Sequence, residues 1–245
     1  MKNAAASCQV KWYKELDSTN AELLRRVYEL DNLSVAAAFS QREGRGQKGN
    51  RWLSAPGENL TFSILLRPEA LPLSELMSIT FLSTLTIRDY LSAHDIRAAI
   101  KWPNDIYVGK KKICGMLIES LPDGGKLMAA VIGIGLNLNQ TAFPPELPNP
   151  TSAKLLTGLD YDLEEALGEI LEIFLSRLNL LSSSEGRTQL RSLYEEKLFQ
   201  KGELCSYRDL KSGEIIEGEI LGIAKDGRLN LSGRLFDFKE IGYIL

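Results

Sequence analysis

The stretch from residue 105 to 137 reverses direction twice, and any fold for this chain has to accommodate it. Asp105–Val108 and Lys112–Ser120 read as a hairpin turning at Gly109–Lys110. A Pro-Asp-Gly-Gly turn follows at Pro122–Gly125, and then a long apolar strand over Lys126–Asn137. Around this β core the periodicity alternates. Short strands are predicted at Val10–Leu16, Val35–Gln41, Leu60–Arg67 and Arg97–Lys101, the last stopped by Pro103. Thr19 and Glu22 have capping-box spacing ahead of the apolar stripe Leu23, Val27 and Leu30, which predicts a helix. A longer helix is predicted over Leu73–Ala93, capped by Ser74 or a neighbour. Others run from the Asp162/Glu165 capping box to about Leu181, and over Gln189–Leu198. Gln140–Pro150 holds four prolines and reads as an irregular loop. After Leu198 the pattern becomes short β-type runs separated by turns at Lys211–Gly213 and Asp226–Gly227. This predicts an α+β domain over residues 1–198 and a small antiparallel barrel over residues 199–245.

Gly44–Trp52 reads GRGQKGNRW. Glycines let a backbone turn sharply and bring its N–H groups close to a ligand, and the cations suit an anionic one. The segment is not a Walker loop, because Asn50 and Arg51 follow Gly49 where Lys and Ser/Thr are required. It has the G-x-G-x-x-G spacing, but no helix pattern follows, so it is not a Rossmann fingerprint. A solvated turn and an anion-binding loop both remain open on these residues alone.

Composition removes several classes of chemistry. The net charge of −3 gives no general attraction to nucleic acid or to a membrane surface. No apolar run approaches the ~20 residues that span a bilayer. The N-terminus lacks the apolar core of a signal peptide. The three cysteines are far apart without a C-x-x-C, which fits a cytoplasmic protein with reduced thiols. A single histidine, His94, argues against His-based metal sites and a Ser/His/Asp triad, and no metal-binding residues are expected. Its expected place is a helix C-terminus.

Two further motifs stand out. Lys101–Asp105 reads KWPND, in which Pro103 biases Trp102 toward extended backbone and Asn104–Asp105 favour a tight turn. Gly133–Asn137 reads GIGLN, where glycines inside a strand mark a bulge or a close approach. With DSTN at Asp17–Asn20, the glycine loop, and KICGMLIE at Lys112–Glu119, these motifs resemble those of the biotin protein ligases, that is biotin–[acetyl-CoA-carboxylase] ligases. They occur in the family's order across most of the first part of the chain.

The resemblance implies a mixed sheet packed with helices, of the class II synthetase/biotin–lipoate ligase type, with a C-terminal SH3-like barrel. It implies a two-step reaction: biotin's carboxylate attacks the α-phosphate of ATP, supplied with Mg²⁺, and biotinyl-5′-AMP then acylates a lysine of a biotin carboxyl carrier protein. Such chemistry asks for positioning and cations more than for a histidine base. Carried over by position, Ser18, Thr19 and Asn20 line the ureido end of biotin. Gln41 and the backbone of Gly44, Arg45, Gly46 and Gln47 close over biotin and nucleotide, with Arg45 near the carboxylate and α-phosphate and Trp52 closing the loop. Lys112 is the catalytic lysine, Gly115 and Met116 touch biotin through their backbone, and Asn137 meets the nucleotide. Asp105 orients the site or activates the incoming lysine.

Plainer roles exist for several of these. Ser18 or Thr19 could serve only as a helix cap, Trp52 only as core, and Lys110–Lys112 only as a solvated hairpin tip. The chain also departs from many family members, which carry arginine at the positions of Gln47 and Asn50. The DSTN motif starts at residue 17, leaving no room in this sequence for the N-terminal winged helix–turn–helix of some members, so a monofunctional enzyme without nucleic-acid binding is expected. A homodimer through a sheet edge stays open, with no diagnostic residue. Competing readings are a lipoate–protein ligase or octanoyltransferase, against which KWPND argues, and a binding-only protein, against which the pair Arg45 and Lys112 argues.

Overall fold

The structure is a computed structural model that describes residues 7–69 and 71–245, without the side chain of Lys48. Seven strands form the main sheet: β1 (Gln9–Tyr13), β2 (Ser34–Ala38), β3 (Leu60–Leu66), β4 (Ala99–Lys101), β5 (Asp105–Val108), β6 (Lys111–Asp123) and β7 (Lys126–Leu136). Their order is β1-β2-β3-β7-β6-β5-β4. Among these strands of the described residues, β1 and β2 pair in parallel and the other neighbours pair antiparallel. The double reversal expected between residues 105 and 137 is therefore the β5-β6-β7 meander, and both turns use positive φ, at Gly109 and at Gly124–Gly125.

Strand alternation gives this sheet two different faces. On one, Phe62, Ile64, Ile132 and Ile134 bury against the long helix α2 (Met77–Ala93) and the later helices α4 (Leu163–Leu178) and α5 (Ser184–Glu196). On the other, Ala36, Leu65, Ala129 and Val131 are covered by Leu23 and Val27. These two lie on or just beyond α1 (Thr19–Arg25). The helix is only seven residues long, so it covers only part of its face. Beyond it the same face continues through Thr61 and Ser63 of β3, Gly133 and Gly135 of β7, and Gly115 of β6. Small and polar residues there leave the sheet open.

The second sheet has five antiparallel strands: β8 (Leu204–Asp209), β9 (Ile215–Ile223), β10 (Leu229–Leu231), β11 (Arg234–Phe236) and β12 (Ile241–Tyr243), ordered β11-β10-β9-β8-β12. Its buried Tyr207, Ile220, Leu229 and Phe236 belong to the same apolar cluster as the main sheet's core. Trp102 joins the two halves: its indole Nε1 donates to the carbonyl of Gly227 at 3.1 Å, and its ring lies 5.0 Å from Phe238.

Some local expectations are corrected. Ser18, not Thr19, is the N-cap of α1, and its side chain makes no cap bond. Glu22 turns instead to Tyr13 and Arg25. Ser74 lies in a 3-10 turn, Leu73–Glu75, ahead of α2. The α5 helix starts at the Ser183 cap, earlier than its apolar pattern suggests. The short helix α3 (Ala153–Thr157) and strand β11 were not expected. The Asp162 cap holds, accepting from the amides of Glu164 and Glu165. His94 caps the C-terminus of α2 and meets Glu169 at 2.8 Å.

Candidate functional site

Over the open part of the main sheet lies a cavity of about 650 Å³. Of the residues singled out from sequence, Ser18, Thr19, Asn20, Gln41, Arg45, Gly46, Gln47, Trp52, Asp105, Lys112, Gly115, Met116 and Asn137 all line it. Gly44 does not. It is buried behind the loop, its carbonyl accepts from the amide of Trp52 at 2.9 Å, and a Cβ there would stand 2.3 Å from Trp52 O. Its role is to let the loop close on itself. The loop is a small hairpin in which Arg45 faces Arg51 across a bridge and Gln47–Gly49 makes a 3-10 turn.

The floor explains the glycines of GIGLN. There is no bulge at Gly133 or Gly135; β7 pairs regularly with β3 and β6 there. Both are close approaches. A Cβ on Gly133 would lie 2.1 Å from Asn20 Oδ1, and one on Gly135 would lie 2.3 Å from Trp52 Cε2. So Asn20 sits over Gly133 and the Trp52 indole over Gly135, with Asn137 at the end of the row. Gly133→Ala is expected to destabilise the fold by ~1–3 kcal/mol, the usual cost of overpacking, because Asn20 is held by hydrogen bonds and cannot give way. Gly168→Ala, on the exposed side of α4 with open space around it, should stabilise by ~0.5–1 kcal/mol. Urea unfolding that finds Gly133→Ala as stable as the parent would refute the close approach.

One end of the cavity is a hydrogen-bonded polar cluster. Gln41 Oε1 accepts from the backbone amide of Thr19 at 2.8 Å and from its hydroxyl at 3.3 Å. Ser63 Oγ lies 2.7 Å from Thr19 Oγ1 and 2.6 Å from Asn20 Oδ1. Ser18, Thr19 and Asn20 are all buried, and Ser63 was not foreseen as their partner. Elsewhere the lining carries unsatisfied groups. Trp52 Nε1, Asn137 Oδ1 and the Tyr243 hydroxyl are buried without a hydrogen-bond partner among the described residues. Buried polar atoms are normally paired, so these three offer hydrogen-bonding groups that a polar ligand in the cavity can meet.

Beside the Trp52 indole, over Gly115, stands the charge. Lys112 Nζ lies 2.7 Å from Asp105 Oδ1 and 5.8 Å from the Trp52 ring centre. Its backbone is clamped, the amide donating to Asn149 O at 2.8 Å and the carbonyl accepting from Thr151 N at 2.9 Å. Lys110 and Lys111 are exposed at the hairpin tip, so the plain reading holds for them and not for Lys112. Among the described residues the cavity is lined by Arg45, Arg51, Lys101, Lys112 and Lys239 against one carboxylate, Asp105. In a chain of net charge −3 this is a local concentration of positive potential suited to an anion. Lys101 lies over the rings of Tyr107 and Tyr243, at 4.9 and 5.0 Å, and burial pushes its ammonium below the usual lysine range, opposed by Asp105. Met116 faces the core, and its carbonyl accepts from Asn104 Nδ2.

The second sheet also reaches the cavity, through Leu210, Lys239, Ile241, Gly242 and Tyr243. Lys239 Nζ donates to Gln47 O at 3.4 Å. No motif signalled these residues, although Lys101 stood inside KWPND. Among the described residues no group of three or more His, Cys, Asp or Glu is placed to hold a metal ion, and no helix is long and apolar enough to cross a membrane.

Comparison with known proteins agrees with this geometry. The model of the biotin/lipoate A/B protein ligase family matches residues 12–137. The biotin–[acetyl-CoA-carboxylase] ligase of Paracoccus denitrificans is 31% identical over 194 residues, covering 76% of this chain and 80% of that protein. The bifunctional ligase/repressor BirA of Bacillus spizizenii is 31% identical over 202 residues; the match covers 81% of this chain but 61% of the repressor. The biotin protein ligase of Aquifex aeolicus, solved with biotin and ATP, superposes with a TM-score of 0.74 at 28% identity, covering 97% of this chain and 95% of that one. With the family model spanning more than half its length, the chain belongs to the biotin/lipoate A/B protein ligase family.

Proposed function

We propose that this chain is a biotin–[acetyl-CoA-carboxylase] ligase. It joins biotin to ATP as biotinyl-5′-AMP with release of pyrophosphate, then passes the biotinyl group to a lysine of a biotin carboxyl carrier protein with release of AMP. The observation that carries this reading is the order of groups along β7. The polar cluster of Thr19, Asn20 and Gln41 stands at Gly133, the Trp52 indole at Gly135 and the amide of Asn137 beyond. Lys112 stands beside Gly115, which pairs with Gly135. A ligand with a polar ring at one end, a carboxylate in the middle and a nucleotide beyond suits that sequence of environments.

In this reading Ser18, Thr19, Asn20 and Gln41 receive the ureido ring. Arg45 and Lys112 offset the repulsion between the carboxylate and the α-phosphate, and they stabilise the charge that builds up as the new bond forms. Asp105 holds Lys112 in place and orients the site or activates the acceptor's amine. Trp52 and Asn137, with the backbone of Gly46 and Gln47, hold the nucleotide. Magnesium enters as the counter-ion of ATP's phosphates. The five-stranded unit over residues 199–245 is read as an SH3-like barrel that walls one side of the cavity, and residues 1–198 as the catalytic domain.

Mass spectrometry tests the whole reaction. Apo carrier domain incubated with the protein, ATP, Mg²⁺ and biotin should gain one biotinyl group on one lysine. Carrier left unmodified, under conditions where a known ligase modifies it, would refute the proposal.

A further inference from the structure

Arg45 and Asn20 come from different elements, one from the glycine loop and one from the first turn of α1, yet both are bonded to a single carboxylate. Glu119 Oε1 accepts from Arg45 at 2.8 Å and Glu119 Oε2 accepts from Asn20 Nδ2 at 2.8 Å. Glu119 lies on β6 in the same alternating row as Gly115 and Leu117, opposite Val131. It borders the shallow cleft on the outer side of the loop and not the cavity itself. Neither the family motif roles nor the reaction above uses it.

We infer that Glu119 is a positioning residue that aims Arg45 and Asn20 together; this rests on the ligase reading. Two physical points support it. A side-chain amide can face either way, and only its partners decide which. A carboxylate accepts and never donates when ionised. With Glu119 and the carbonyl of Leu117 on one side and the Ser63 hydroxyl on the other, Asn20 is held with its NH₂ toward β6 and its oxygen toward Ser63. Arg45 is exposed and sits on a loop, so without an anchor its long side chain would sample many rotamers. A guanidinium has five N–H donors in a rigid fork. Spending part of that fork on Glu119 fixes its plane and leaves donors for a ligand oxygen. One carboxylate on the rigid sheet thus sets both the group that meets the polar ring and the cation that meets the reacting carboxylate.

A double-mutant cycle tests this with biotinyl-AMP formation as the readout. Glu119→Ala should lower kcat for adenylate formation by ~10–100-fold, the scale of a small misplacement of positioned groups. On an Arg45→Ala background the same change should lower kcat by no more than about threefold, because residues that act through one another are not additive. Glu119→Gln has nearly the same shape but one acceptor oxygen in place of two, and it should fall between parent and Glu119→Ala. It also keeps the test open if the alanine variant folds poorly, which thermal unfolding of each variant would reveal. Equal losses on both backgrounds would mean a purely structural residue and would overturn the inference alone. A parent protein that makes no biotinyl-AMP would overturn the ligase reading and this inference with it.

Discussion

Pyrophosphate exchange into ATP is expected to be fast with biotin and ~10⁴–10⁵-fold slower with lipoate or octanoate at equal concentration, the penalty typical of a site built to hydrogen-bond a group that the analogue lacks. The ureido ring brings two N–H donors and a carbonyl. The pocket that would receive it is buried and polar: Ser18, Thr19 and Asn20 are each no more than 4% exposed. Ser63 and Gln41 already bond Thr19, and Ser63 also bonds Asn20. An apolar tail entering there would strip water from these groups and return nothing, and an unpaired buried polar group costs ~1–3 kcal/mol. Comparable exchange with lipoate would move the chain to the lipoyl branch of the family. No exchange with any of the three acids would favour a protein that binds without reacting.

Lys112→Ala is expected to reduce biotinyl-AMP formation by at least ~100-fold, the scale of losing one preorganised electrostatic group. Lys112 has a carboxylate partner at 2.7 Å and a backbone pinned on both sides, so its ammonium is held before any ligand arrives. Lys110→Ala and Lys111→Ala should change the rate little, since both side chains lie in solvent. Measured by release of radiolabelled pyrophosphate, equal losses at all three positions would show that the triplet acts only through its summed charge.

Much of this was legible in the residues. Local signals placed the β5-β6-β7 meander because turns such as Gly109–Lys110 and Pro122–Gly125 are encoded by a few adjacent residues. The Asp162 cap was legible for the same reason. The α1 cap was misread because capping-box spacing at Thr19 and Glu22 competes with tertiary bonds: Thr19 turns to Gln41 and Ser63, and Glu22 to Arg25. Within the site, motif residues converge as the family resemblance implied. Partners without a motif stayed hidden. Ser63 is an ordinary strand serine until Asn20 is placed over it, and Tyr243 and Lys239 belong to a β unit whose short strands say nothing about what they will face. Gly44 is assigned to the site by its position in the family's loop motif, and it does not line the cavity. What excludes it is a backbone contact with Trp52 that no side-chain pattern encodes.

The alternation along β7 limits how this site can change over evolutionary time. The same strand sends Ile132, Ile134 and Leu136 into the core and Gly133 and Gly135 toward the cavity. Inserting or deleting one residue would exchange the two sets, pressing isoleucines into the ligand space and leaving holes in the core. Only paired insertions preserve the faces, and each pair lengthens the floor by ~6.4–6.8 Å, several times the reach of one methylene. The sheet can therefore change its span only in coarse steps. Discrimination between acids that differ by a single carbon falls to the side chains above it, on the loop and the first helix, where a substitution shifts the fit without moving the strand.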